Sequence, residues 1–129
     1  MRRLIACAFI LGIAALAAAG VTPGPAVTDA NVAARVHGTL SPPDNLALAH
    51  YYQTEAKAEA ARIDAADRLL RAYNGLEGKV YEPLKAQARK LLRAARESRK
   101  RYELLAAAHQ HLAFAQADDS GPSAPTPRH

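Results

Sequence analysis

One cysteine, one methionine and no tryptophan occur in this chain, and neither proline nor glycine interrupts residues 44–74 or 84–120. The cysteine is Cys7, inside a segment expected to be removed, so the remaining chain carries no thiol. Disulfides, thiolate metal sites and cysteine nucleophiles are thereby excluded from it. Aromatic residues are scarce, with Phe 2 and Tyr 5. A core must therefore come from aliphatic and alanine packing or from association, and the tyrosines are expected to be packing residues with a wet hydroxyl. Also missing are Gly-x-Ser-x-Gly, His-Glu-x-x-His and any phosphate-cradling glycine loop. The chain is read as non-enzymatic, with no cofactor.

What is present begins with an export signature. Met1-Arg2-Arg3 is a positive start, residues 4–16 are apolar apart from Gly12, and Ala17-Ala18-Ala19 offers small residues for cleavage. This order predicts a secretory signal peptide over 1–19, cut between Ala19 and Gly20, and a periplasmic or secreted product. Retention as a membrane anchor is the alternative; the apolar run is shorter than the roughly 20 residues that span a bilayer. Loss of Arg2 and Arg3 takes Lys and Arg from 17 to 15 against 12 Asp and Glu, a net of +3. The exported product is only mildly basic.

Residues 20–40 mix proline, glycine and small polar side chains and read as a flexible leader. A short helix over 29–37, closed by Gly38, is its one interruption. At Ser41-Pro42-Pro43-Asp44 a helix start is legible. The serine oxygen accepts a free backbone N–H, proline fits the first helical position, and the aspartate sits at the positive end of the helix dipole. The spacing predicts a helix over 42–74, a loop over 75–82 with Gly75 in the left-handed closing position, and a helix over 83–117 restarted by Pro83. Residues 118–129 hold prolines, acids and no large apolar residue, and are expected to be a disordered tail.

Both long segments carry a helical seam. In the second it is Leu84, Ala88, Leu91, Ala95, Ser98, Tyr102, Leu105, His109, Leu112 and Gln116, alternating steps of four and three. That is the period of helices packing along one another. The first seam is thinner: Leu46, Ala49, Gln53, Ala56, Ala60, Ile63, Asp67 and Leu70. The fold class is therefore all-α, an antiparallel two-helix hairpin over 41–117 resembling a coiled coil. Exposed alanines such as Ala58 and Ala65 suggest pairing of two hairpins as a four-helix bundle. Across the hairpin Glu59 is expected to face Arg101, and Asp64 to lie near Arg93 and Arg96.

Two groups of side chains are candidate sites. His50 and His109 fall at one level at the open end of the hairpin, where imidazoles can bind Zn²⁺, Cu²⁺ or Ni²⁺. Arg89, Arg93, Arg96 and Lys100 form an outward stripe suited to an anionic membrane surface. The shortage of aromatics around it, Tyr102 alone, disfavours nucleic acid.

Leu48-Ala49-His50-Tyr51-Tyr52 and the run from Tyr102 to His109 resemble the Leu-Ala-x-x-Tyr and Tyr-x-x-Leu-Ala-x-x-His helices of uncharacterised small exported bacterial proteins. The resemblance covers residues 44–112 and implies a helical architecture and an envelope location, with no activity attached. Asp67 and Arg68 depart from it, standing where a histidine would be expected. The leading functional expectation is protein–protein association in the bacterial envelope, as a homo-oligomer or with an envelope partner. The alternatives are a metal or small-ligand carrier through His50 and His109, and an anionic-surface adaptor through the stripe.

Overall fold

The structure, a computed structural model, describes residues 22–38 and 40–121. The expected signal peptide, its cut after Ala19 and most of the expected tail lie outside the described residues. Among these the protein is all-helical: α1 at Val32–His37, α2 at Pro42–Asn74, a 3₁₀ turn at Lys79–Tyr81 and α3 at Glu82–Asp119. No described helix is long and apolar enough to cross a membrane.

The start of α2 forms as its residues dictate. Ser41 Oγ accepts from the Asp44 backbone N–H at 3.4 Å, and the Asp44 carboxylate accepts from the Ser41 N–H at 3.2 Å and its hydroxyl at 2.7 Å. Two backbone donors that helix geometry leaves orphaned are thus satisfied reciprocally. The exit of α2 differs from expectation. Among the described residues a positive φ occurs only at Gly78, at 117°, so the left-handed closure expected at Gly75 is not used. Gly38 likewise closes α1 with extended backbone, φ −79° and ψ 173°. The chain leaves α2 through ordinary turn bonds, Gly75 N–H to Arg71 O and Leu76 N–H to Tyr73 O, and takes its positive φ at Gly78, where a side chain would be strained.

Residues fall into two compact units, Met1–Ala49 with Ala108–His129, and His50–Ala107. In each, α2 and α3 pack against each other. In the first, Leu46 packs with Ala113 and the half-buried Phe114. Five consecutive α2 residues, Asn45 to Ala49, are buried. A helix against one partner buries only a stripe, so consecutive burial requires neighbours on further sides. Residues 22–38 meet the start of α2. Gly24 N–H donates to Pro43 O at 2.8 Å, Arg35 donates to Pro25 O at 2.9 Å, and Arg35 reaches Asp44 at 3.4 Å. A Cβ on Gly24 would lie 3.2 Å from Pro43 O, so a side chain there would push the two segments apart by a few tenths of an ångström. The segment read from composition as a leader is docked on α2 by these bonds, which depend on where Pro43 and Asp44 are held.

In the second unit Ala56, Glu59 and Ala66 of α2 are buried, with Gln53, Ala60, Ile63, Asp67 and Leu70 half-buried. From α3 come Ala88, Leu92, Ala95 and Ala106, flanked by Lys85, Ser98, Arg99 and Tyr102. Tyr52 stacks on Tyr102 with ring centroids 6.2 Å apart. Of the expected α3 seam, Ala88, Ala95, Ser98 and Tyr102 are therefore in place in this unit. The alternate row is turned by one residue: Leu92 is 7% exposed, whereas Leu84, Leu91 and Leu105 stand 40–54% exposed. The buried face of α3 in this unit is Ala88, Ala95 and Ala106, with Leu92 as the one leucine it admits. The leucines are displaced to the flank.

Candidate functional site

The first unit encloses a chain of polar side chains. Gln116 Nε2 donates to the Leu40 carbonyl at 3.0 Å, and Asn45 Nδ2 donates to Gln116 Oε1 at 2.8 Å. Asn45 Oδ1 lies 2.9 Å from His109 Nδ1. The direction of each bond follows from its fixed end. A backbone carbonyl only accepts, so Gln116 must turn its amide nitrogen to Leu40 and its oxygen to Asn45. Asn45 then donates to that oxygen and presents its own oxygen to the imidazole. His109 must supply the hydrogen from Nδ1, which leaves the lone pair on Nε2. Asn45 is 1% exposed, so these bonds replace water that the amide has lost. Burial also pushes the His109 pKa below its ordinary 6.5.

His50, its expected metal partner, is exposed and belongs to the second unit, while His109 belongs to the first. Among the described residues no group of three or more His, Cys, Asp or Glu is disposed to hold a metal ion. His109 engages Asn45 through Nδ1. His109 and Gln116 are seven apart on the expected seam, and two polar residues in a seam require buried partners. Asn45 lies one residue ahead of the expected α2 seam, which begins at Leu46.

On α3 in the second unit, Arg89, Arg93, Arg96 and Lys100 are all exposed. Their neighbours are engaged: Lys85 with Glu82 at 3.1 Å, Arg99 with Glu103 at 2.8 Å and Arg101 with Glu97 at 4.0 Å. Glu59 does not face Arg101 as a surface pair; it is 5% exposed and held by Arg62 of its own helix. Asp64 closes no ion pair with Arg93 or Arg96 among the described residues. The ion pairs that do form within α2 and α3 join residues three or four apart on one helix. Long side chains then find carboxylates three or four residues along their own helix sooner than across it.

Burial of Tyr52, with the Tyr102 ring beside it, raises its phenol pKa above 10.0. Tyr51 meets Tyr52 edge-on at 5.2 Å, so this aromatic group packs as expected of core tyrosines. No protein-family model, curated protein or solved structure matches the chain.

Proposed function

We propose that this is an exported, non-enzymatic helical-hairpin protein of the bacterial envelope that works by association, with a second copy as its partner in a four-helix bundle. The observation that carries this reading is the heptad row Leu84, Leu91 and Leu105, which the folded chain leaves about half uncovered. Within the second unit Leu91 and Leu105 lie seven residues to either side of Ser98. The row reads alike in both directions about Ser98, the property a two-fold antiparallel contact requires. A leucine left half in water forgoes about 1 kcal/mol of burial free energy, so covering the row is a sizeable driving force. Glu97 and Arg101, on either side of that midpoint region, hold each other at a long 4.0 Å and are positioned to exchange partners between copies. The antiparallel hairpin itself is supported by the short connection 75–81 between α2 and α3. It is supported further by the bonds from Asn45, at the start of α2, to His109 and Gln116 towards the end of α3.

Native mass spectrometry of the protein purified from the periplasm of an expressing bacterium tests the reading in one measurement. A dimer beginning at Gly20 is expected. A monomer at every concentration would remove the association, and an intact Met1 start would remove the export step. Leu91→Glu with Leu105→Glu should convert the dimer to a folded monomer.

A further inference from the structure

Four cations of α3 stand apart from the rest of its charge. Arg89, Arg93, Arg96 and Lys100 are spaced by four, three and four residues, all are exposed, and none makes a hydrogen bond or ion pair among the described residues. On the same helix Lys85, Arg99 and Arg101 each have a carboxylate within 4.0 Å, and Lys90 is exposed off this row. Glu97, the acid nearest the row in sequence, is turned to Arg101. At roughly 100° per residue the row occupies one flank of α3 and the exposed leucines the opposite flank. Self-association through the leucines therefore leaves the cations uncovered.

We infer that this row is a docking surface for an anionic phospholipid bilayer. The shape of the row decides the class of partner. It is a straight, convex ridge, roughly 16 Å from end to end at 1.5 Å per residue, with no enclosing wall. A small anion needs a concave site with converging donors, which a ridge does not provide. A flat sheet of phosphates meets all four cations at once. Arg93 and Lys100 flank no exposed aromatic ring on which a base would stack, so single-stranded nucleic acid finds only charge here. Guanidinium groups suit phosphate oxygens because their planar donors bind two at a time. Each basic residue near an anionic membrane contributes about fivefold to binding at low ionic strength.

The experiment is co-sedimentation of the full chain with vesicles of phosphatidylglycerol and phosphatidylcholine, and with phosphatidylcholine alone, at low salt. Three proteins are compared. One is the wild type; one carries Arg89→Gln, Arg93→Gln, Arg96→Gln and Lys100→Gln. The last carries Lys57→Gln, Arg68→Gln, Lys79→Gln and Lys90→Gln, which removes the same charge from exposed cations elsewhere. Glutamine keeps the helix, and circular dichroism verifies it. The wild type should bind the anionic vesicles and release them in moderate salt. The stripe variant should lose at least a hundredfold in affinity and the control variant less than tenfold. Equal losses would show that net charge alone acts and would overturn the assignment. So would equal binding to the neutral vesicles, no binding at low salt, or tighter binding to a single-stranded RNA at matched phosphate concentration. A monomeric protein that still binds through the stripe would leave this inference standing while removing self-association.

Discussion

Asn45 is the residue on which the polar interior of the first unit turns. It accepts from His109 and donates to Gln116, whose own orientation is set by the Leu40 carbonyl. Asn45→Ala leaves the Gln116 oxygen and the His109 N–H buried without this partner. A loss of about 1–3 kcal/mol in urea unfolding is expected. ¹⁵N spectra of the imidazole should show the hydrogen on Nδ1 in wild type and a mixture of tautomers in the variant. Unchanged spectra would contradict the relay. The lowered pKa of His109 carries a pH dependence of definite sign. As pH falls past 6.5 the unfolded chain takes up a proton that the folded chain resists, so stability present above 6.5 is lost towards the lower folded value. The melting temperature should therefore drop between pH 7.5 and 5, and His109→Asn, which keeps a donor for Asn45, should flatten that segment. An equal drop in both proteins would place the cause elsewhere. Asp44 acts in a separate, more acidic window. The Ser41 hydroxyl, then the Ser41 N–H, with Arg35 adding to them, hold its carboxyl below 3.8. Its contribution is present above 3.8 and lost as pH falls below it.

At the scale of the element, the spacing in α3 predicts a helix over 83–117, and Glu82–Asp119 is what forms, so Asp118 and Asp119, expected in a disordered tail, are helical. Periodicity alone assigned the leucines to the seam because they are the largest apolar residues at heptad spacing. The row one residue along, Lys85, Leu92, Arg99 and Ala106, takes their place beside Ala88 and Ala95. This rotation gives a paired prediction. Leu92→Ala should cost about 2–4 kcal/mol, since it empties a buried site. Leu91→Ala, 54% exposed, should cost under about 1 kcal/mol in dilute protein. Urea titrations of the two variants decide it, and equal costs would restore the rotation expected from sequence. The N-terminal segment shows the reverse limit. Proline and glycine content reads as irregular chain, yet Gly24 and Arg35 fasten it to α2 through bonds that composition does not encode.

For the whole molecule, the proposed association makes stability depend on concentration. A partner that binds only the folded state raises the melting temperature by mass action. Raising the protein from micromolar to hundreds of micromolar should lift the melting temperature of the wild type and leave Leu91→Glu/Leu105→Glu unmoved. A wild type whose melting temperature ignores concentration would end the dimer proposal.

By itself the sequence determined the helices: where α2 begins, because Ser41, Pro42 and Asp44 cap it, and how far α2 and α3 run, because nothing in them breaks a helix. It also determined that Arg89, Arg93, Arg96 and Lys100 share a face, since helical spacing is a local property. Only the tertiary structure decided which leucines face water, that Gly78 and not Gly75 takes the positive φ, and that Asn45 joins His109 to Gln116. These depend on how closely two helix axes approach and on partners more than sixty residues away in the chain, neither of which a local pattern records.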